Sequence, residues 1–128
     1  MGAIVVDTSA IVAIALGEPL AEQCAAAAGA ADEILMSAAT LGECMTVGLS
    51  KGEGAVDTVI AAFNPTIVPV TEQECERMLA AYRRWGKGIH RAKLNIFDCF
   101  AYALAVERDL PLLFIGDDFA QTDVRSAL

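Results

Sequence analysis

The chain has 128 residues, 55% of them hydrophobic, and its 17 acidic and 9 basic residues give it a formal net charge of −8. This length suits one domain with its own core, the hydrophobic content excludes a disordered chain, and no apolar stretch reaches the roughly 18 residues that a membrane-spanning helix needs. The acidity argues against a broad electrostatic binder of nucleic acid, since phosphate contacts are made largely by Lys and Arg.

Short apolar runs alternate with helical segments along the chain. The first run, Ala3 to Val6, is β-branched and stops at Asp7, as a strand buried on both faces would. Thr8 and Ser9 then offer capping hydroxyls to a helix that ends before Gly17. Strands are likewise expected at 34–36, 66–70 and 112–115, and helices at 10–16, 20–31, 38–49, 55–63, 72–85 and 97–108.

The segments between these elements carry turn and capping signals. Ser37 is placed to cap the third helix, residues 50–54 form a glycine-rich break, and Thr71 with Glu74 predicts a capping box. Strands that alternate with helices imply right-handed crossovers and a parallel sheet with helices on both faces. We therefore expect an α/β fold in which residues 1–128 form a single domain.

The four cysteines are spaced 20, 31 and 24 residues apart, so no pair has the short spacing of a zinc knuckle or a redox dithiol. Each lies in an apolar or helical segment, where a free thiol behaves as a small buried hydrophobe. No basic segment precedes the first apolar run, unlike in a secretory signal. We expect four structural cysteines and a cytoplasmic protein; the cysteines are Cys24, Cys44, Cys75 and Cys99.

Acidic residues recur where predicted strands end. Asp7 follows the first strand directly, and Asp117 and Asp118 follow the last one with only Gly116 between. The carboxyl ends of parallel strands lie on one edge of a sheet, which is where open α/β proteins bind ligands. We therefore expect these acids to converge, although 110 residues separate Asp7 from Asp117.

Two further acids fit the same edge. Glu43 lies in an otherwise apolar helical stretch, and Asp98 opens a helix whose next turns are almost wholly apolar. Each has a structural explanation of its own: Asp98 could complement the helix dipole, and Glu43 could reach solvent or a Lys. Together, however, several carboxylates at one edge repel one another unless a cation or shifted pKa values compensate. Carboxylate oxygens without His or Cys favour Mg²⁺ or Mn²⁺, and the natural chemistry of such a site is metal-dependent phosphodiester hydrolysis.

The positive charge is concentrated in one segment. Residues 83–93 contain five basic side chains and no acid, in a flexible, donor-rich loop that leads to Asp98. Such a run is usually a solvated surface loop, but its position favours contacts with phosphates beside a metal site. His90 is the only histidine, and we do not expect it to act as a catalytic base. The candidate residues for binding a nucleic-acid backbone are Arg83, Arg84, Lys87, Arg91 and Lys93.

The chain resembles PIN-domain proteins, and more narrowly the VapC toxins of type II toxin–antitoxin systems. The resemblance covers essentially the whole length, and its motifs are short but occur in a specific order. They are residues 4–10 (Ile-Val-Val-Asp-Thr-Ser-Ala), Glu43 within its helix, residues 90–105 with Asn95 and Asp98, and residues 111–119 followed by Thr122 and Asp123.

The resemblance implies a PIN-like three-layer α/β/α sandwich with a central parallel sheet of four or five strands. It implies a Mg²⁺- or Mn²⁺-dependent endoribonuclease that cleaves structured RNA, such as a tRNA or a ribosomal RNA. Asp7, Glu43 and Asp98 match the acidic positions of the family, and both Asp117 and Asp118 are candidates for the fourth. Thr8 or Ser9 would orient Asp7 or a water at the metal.

The resemblance also implies partners. A toxin of this kind is expected to form a homodimer and to be silenced by a VapB antitoxin, which inserts a peptide, often with an Arg, into the acidic site. The predicted helices between residues 10 and 49 are apolar enough to accept such a peptide. No membrane partner is expected.

Other α/β proteins carry acids at strand ends. A receiver-like signalling domain needs paired acids after its first strand and a Lys after a late one, whereas Asp7 is single and no Lys follows Asp118. A phosphatase with an Asp nucleophile needs a second acid two residues after Asp7, where Ser9 stands. A PIN-type nuclease that processes RNA or DNA outside a toxin system, or a PIN domain reduced to a binding module, remains an alternative.

Overall fold

The computed structural model describes residues 2–128 as a four-stranded parallel sheet between two helical layers. The strands are β1 (Ala3–Val6), β2 (Glu33–Ser37), β3 (Thr66–Val68) and β4 (Leu112–Leu113). The helices are α1 (Thr8–Leu16), α2 (Ala21–Ala30), α3 (Ala38–Lys51), α4 (Glu53–Phe63), α5 (Glu72–Trp85) and α6 (Ile96–Arg108), followed by a 3₁₀ turn at Phe119–Gln121.

The sheet has the order β3-β2-β1-β4, and every neighbouring pair is parallel. This confirms the predicted α/β sandwich with a central parallel sheet. Next to β4, Leu112 forms a parallel bridge with Ser126, so the last residues of the chain extend the sheet by one bridge without becoming a further strand. Within residues 2–128, no helix is long and apolar enough to cross a bilayer.

Each face of the sheet packs against its own apolar core, because successive side chains of a strand point to opposite faces. Val5 of β1 packs into one core, together with residues of α5 and α6. Its neighbours Ile4 and Val6 pack into the other core, with residues of α1, α2, α3 and α4. The central strand is therefore covered on both sides, which explains its uninterrupted β-branched sequence.

Several boundaries differ from the prediction. The cap of α1 is Asp7, whose side chain accepts the Ser9 backbone N–H, and not Thr8 or Ser9. The third and fourth strands are shorter than expected; in the fourth, the backbone N–H of Ile115 bonds to the Ser9 hydroxyl at 3.0 Å instead of continuing a ladder. The glycine-rich break shrinks to Gly52, which separates α3 from α4 with a φ of 138°.

Capping and thiol burial also differ in part. Ser37 and Thr71 cap their helices as predicted, but Glu74 accepts from Arg77 at 2.6 Å, and the reciprocal capping box lies instead at Asn95, the cap of α6. Three of the four cysteines are buried, as expected. The prediction was wrong for Cys75, which lies on α5 and is exposed.

The basic loop between α5 and α6 is more ordered than the flexible segment expected. The backbone of Leu94 donates to Trp85 O at 3.1 Å, and Lys87 donates to Leu94 O at 2.9 Å. Gly86 has no room for a side chain, since a Cβ there would lie 2.4 Å from Tyr82 O. With Leu94 fully buried under the loop, the chain enters α6 at a fixed position.

Candidate active site

An open cavity of about 400 Å³ lies at the carboxyl edge of the sheet, where Asp7 follows β1. It extends along α1 and α3: Glu43 and Val47 are four residues apart on α3 and so share one face of that helix. We call this cavity the acidic trough. Its lining residues are Asp7, Thr8, Ser9, Val12, Glu18, Glu43, Val47, Asp98 and Ile115.

Asp7 is nearly inaccessible, with 4% of its surface exposed. Its Oδ2 accepts the Ser9 backbone N–H at 3.0 Å and the Ser9 hydroxyl at 2.7 Å. The same hydroxyl oxygen accepts the backbone N–H of Ile115, so Ser9 ties the end of β1 to the segment after β4. Burial raises the pKa of Asp7 above its usual value, the bonds from Ser9 oppose that shift, and the charge of Asp118 adds to it.

Glu43 reaches the trough from α3. Its Oε1 accepts the Thr8 hydroxyl at 2.5 Å, and Thr8 in turn accepts the Cys44 thiol at 3.7 Å. Burial raises the pKa of Glu43, the Thr8 bond opposes the shift, and the nearby Asp7 charge adds to it. Thr8 therefore orients Glu43, whereas Ser9 orients Asp7.

Asp98 has two functions in the structure. It completes the capping box of α6, since its Oδ2 accepts the Asn95 backbone N–H at 2.9 Å and Asn95 Oδ1 accepts the Asp98 N–H at 2.8 Å. It also lines the acidic trough. Burial, followed by the charges of Asp7, Glu43 and Asp118, raises its pKa to about 7 against the opposing Asn95 bond. Asp98 thus caps α6 and also lies with the other acids in the trough.

The two candidates for the fourth acid differ in position. Both Asp117 and Asp118 are exposed on the turn after β4. The charge of Asp118 raises the pKa of both Asp7 and Asp98, whereas Asp117 is not among the causes of either shift. Of these two acids, Asp118 is therefore the one whose charge reaches Asp7 and Asp98.

The five basic candidates are all exposed on the end of α5 and the loop after it. Arg84 forms an ion pair with Asp123 at 3.3 Å and lies 4.5 Å over the Trp85 ring. In the part of the chain that the structure describes, the other four have no acidic partner within 4 Å; these are Arg83, Lys87, Arg91 and Lys93.

Two residues of the site escaped the sequence analysis. Glu18, just after the left-handed end of α1 at Gly17, is exposed and lines the acidic trough. Asp123 accepts the Tyr102 hydroxyl at 2.5 Å and so links α6 to Arg84. Nothing in the sequence distinguishes Glu18 from other surface acids, whereas Asp123 lay within a family motif without an assigned role.

The donor set of the trough consists of carboxylate and hydroxyl oxygens, which suit a hard divalent cation. Among residues 2–128, no three His, Cys, Asp or Glu side chains stand close enough together to enclose a metal ion. The charges nevertheless interact, since each of Asp7, Glu43 and Asp98 has a pKa raised partly by another acid. Clustered carboxylates with raised pKa values are those that a bound cation would stabilise in the ionised form.

Comparison with known proteins shows the family to which the chain belongs. The family model described as PIN domain matches residues 4–125. The chain is 42% identical over 129 residues to Ribonuclease VapC28 of Mycobacterium tuberculosis, with 97% of each chain covered. It is 41% identical over 124 residues to Ribonuclease VapC of Mycolicibacterium smegmatis, covering 94% of this chain and 96% of the relative. The chain therefore belongs to the PIN-domain family and, within it, to the VapC ribonucleases, as its motifs predict.

Solved structures support the fold. Mycobacterium tuberculosis VapC20, described as a toxin that cleaves the sarcin-ricin loop, matches with a TM-score of 0.74 at 19% identity, covering 94% of this chain and 95% of that one. A toxin–antitoxin complex from Klebsiella pneumoniae matches with a TM-score of 0.70 at 21% identity, covering 94% and 92%. With the family established, the receiver-like and phosphatase alternatives are excluded.

Proposed function

We propose that the chain is a Mg²⁺- or Mn²⁺-dependent endoribonuclease, the toxin of a VapBC pair, which hydrolyses phosphodiester bonds in structured RNA such as tRNA or rRNA. The observation that carries this proposal is the convergence of Asp7, Glu43 and Asp98 on one trough, within electrostatic range of Asp118. The VapC ribonucleases at about 40% identity support the reaction class.

The carboxylates of Asp7, Glu43, Asp98 and Asp118 would hold the ion. When bound, such an ion polarises a phosphodiester and lowers the pKa of water, which is the chemistry that the side chains cannot supply alone. The neighbouring groups fix the carboxylates: Ser9 holds Asp7, and Thr8 holds Glu43. These hydrogen bonds favour the ionised forms, which are the forms that ligate.

The basic loop supplies the complementary charge. Arg83, Lys87, Arg91 and Lys93 are exposed, and we assign them to the RNA backbone, with Arg84 contributing from its ion pair with Asp123. Phosphate contacts position the substrate but carry little sequence information. We therefore expect cleavage to weaken steeply with salt, while the choice of target depends on other contacts.

The decisive experiment measures cleavage of total tRNA and of ribosomal RNA by purified protein. Cleavage is expected with Mg²⁺ or Mn²⁺ and not in EDTA, and Asp7→Asn should abolish it. Asp57→Asn on α4 is the matched control, because it removes one exposed acid outside the trough. Undiminished cleavage in EDTA or by folded Asp7→Asn would contradict the proposal.

We further propose that a VapB-type antitoxin silences the enzyme in the cytoplasm and that the toxin is a homodimer. Two structural relatives are described as a toxin–antitoxin complex and as VapBC2 of Rickettsia felis bound to a promoter DNA fragment; the latter matches with a TM-score of 0.67 at 15% identity. The acidic trough suits a cationic peptide group such as Arg.

Two experiments test these assignments. Light scattering of the purified toxin should give the mass of a dimer. Co-expression with an adjacent small reading frame should yield a stable complex without RNase activity. A monomer, or a complex that retains full activity, would refute the respective assignment.

A further inference from the structure

Three exposed apolar side chains lie in the segment that leads to Asp98. Phe97, in the first turn of α6, has 42% of its surface exposed, and its neighbour Ile96 has 53%. Ile89, on the basic loop, has 56% exposed. Because Phe97 directly precedes Asp98, their Cα atoms are about 3.8 Å apart. A large aromatic ring therefore stands partly in solvent one residue before an acid that lines the acidic trough.

The position of Phe97 is fixed by its helix. The capping box between Asn95 and Asp98 encloses Ile96 and Phe97, and it holds the backbone of the first turn with two hydrogen bonds. Behind it, Cys99 and residues 101–105 are buried and Phe100 is half-buried. Phe97 belongs to neither apolar core of the described residues.

The charge of the same segment suits RNA. Lys87, Arg91 and Lys93 are exposed on the loop that carries Ile89 and enters α6, and none has an acidic partner within 4 Å in the described part of the chain. A basic loop that brackets exposed aromatic and aliphatic side chains is the arrangement with which proteins hold single-stranded nucleic acid: cations follow the backbone, and rings stack on bases.

We propose that Phe97 is a positioning residue that stacks on an unpaired RNA base next to the bond that is cut. The inference rests on the proposed ribonuclease function and adds the part of the substrate that this surface recognises. A base held within a duplex cannot present its face to a side chain, whereas a loop or bulge can splay its bases outward. Phe97 thus favours cleavage at unpaired nucleotides within a structured RNA, with little preference among the bases, since every base has a stacking face.

The first measurement is independent of cleavage. Short single-stranded RNA that contains the fluorescent base 2-aminopurine is titrated into Asp7→Asn protein, and stacking on an aromatic ring should quench the fluorescence. Phe97→Leu in that background should lose the quenching and weaken binding about 5- to 150-fold, the range expected for one base–aromatic stack. Phe97→Trp should restore both. Unchanged quenching in Phe97→Leu would overturn the proposal, even if cleavage proves the ribonuclease function correct.

The second measurement uses the active enzyme on a stem-loop RNA. Phe97→Leu should raise KM by a similar factor, reduce the advantage of loop over stem cleavage, and leave kcat much less affected. Val106→Ala is the matched control, since Val106 is 49% exposed on the same helix and nine residues away. A wild-type protein that quenches but does not cleave would contradict the ribonuclease function, and with it the role of Phe97 in positioning a bond for cleavage. A loss of activity that accompanies conversion of a dimer to a monomer would instead assign Phe97 to the subunit interface and overturn the inference.

Discussion

The Thr8 hydroxyl donates a hydrogen bond to Glu43 Oε1 at 2.5 Å and thereby joins the first turn of α1 to the middle of α3. The next residue, Ser9, donates instead to Asp7 at 2.7 Å. Adjacent hydroxyls in one helical turn thus serve different carboxylates of the same trough. The pair explains how a short Asp-Thr-Ser sequence organises acids that come from two distant parts of the chain.

The Thr8 contact predicts a selective defect in Thr8→Val. The substitution keeps the shape of a side chain that is only 7% exposed but removes the hydrogen bond to Glu43. Loss of such a supporting partner lowers metal affinity or activity by about 10- to 100-fold. Cleavage rates measured across a Mn²⁺ titration should therefore need more Mn²⁺ to reach half-maximum. Thr8→Ser, which keeps the hydroxyl, should stay close to wild type; a Thr8→Val curve that overlays wild type would refute the assignment.

The Ser9 contact predicts a loss of stability. Ser9→Ala removes the hydroxyl bond to Asp7 and leaves the backbone N–H of Ile115 without its acceptor. An unsatisfied buried polar group costs about 1–3 kcal/mol, and because this site is only partly buried the free energy of unfolding should fall by about 1 kcal/mol, seen as a lower urea midpoint with an unchanged m-value. Ser50→Ala is the control, because its hydroxyl bond to Val47 O is exposed. Equal effects of the two substitutions would contradict a structural role for Ser9.

The strands of the sheet and their order along the chain could be predicted because the signals for a strand lie in neighbouring residues. The uninterrupted apolar run Ala3–Val6 indicated a strand covered on both faces, and chain order placed Asp7 and Asp118 on one edge. The contacts of Thr8 could not be predicted in the same way. A hydroxyl beside Asp7 can cap the helix, bind that acid or reach another, and the choice depends on how α3 packs against α1.

The same limit applies to the acids themselves. Asp117 and Asp118 are equivalent in composition and nearly so in position, and only the course of the turn after β4 decides which charge reaches Asp7. Glu18 lines the trough because it follows the end of α1, and no sequence motif marks this position. The residue types therefore predicted the chemistry of the site. Which residues line the site depends on the direction of each side chain and on the packing between distant segments, and the sequence does not give these.

Tyr102 gives a prediction about pH. Burial, together with its hydrogen bond to Asp123, raises the pKa of the phenol from 10 to about 12. The pKa of Tyr102 is higher in the folded protein than in the unfolded chain. Its protonated phenol therefore stabilises the fold fully below pH 10, and this stabilisation is lost as pH rises from 10 through about 12. Tyrosinate absorbance of the native protein should show one late transition near pH 12, which Tyr102→Phe removes and Tyr82→Phe preserves. A late transition that persists in Tyr102→Phe would show that the shifted phenol is not Tyr102.

The neighbouring acids Asp117 and Asp118 allow a test of the proposed metal site that does not depend on RNA cleavage. An ion that binds only the folded chain raises its free energy of unfolding, by about 2.7 kcal/mol at a concentration one hundred times the dissociation constant. Urea unfolding with and without Mn²⁺ should show this increment in the wild type and much less of it in Asp98→Asn.

The charge of Asp118 raises the pKa of Asp7 and of Asp98, whereas Asp117 is not among the causes of either shift. Asp118→Asn should therefore reduce the increment in the free energy of unfolding, and Asp117→Asn should retain it. Both substitutions remove one exposed charge from the same turn, so a difference between them isolates proximity to the trough from net charge. An equal increment in both variants would mean that Asp118 is not a ligand, and a larger loss in Asp117→Asn would assign that role to its neighbour.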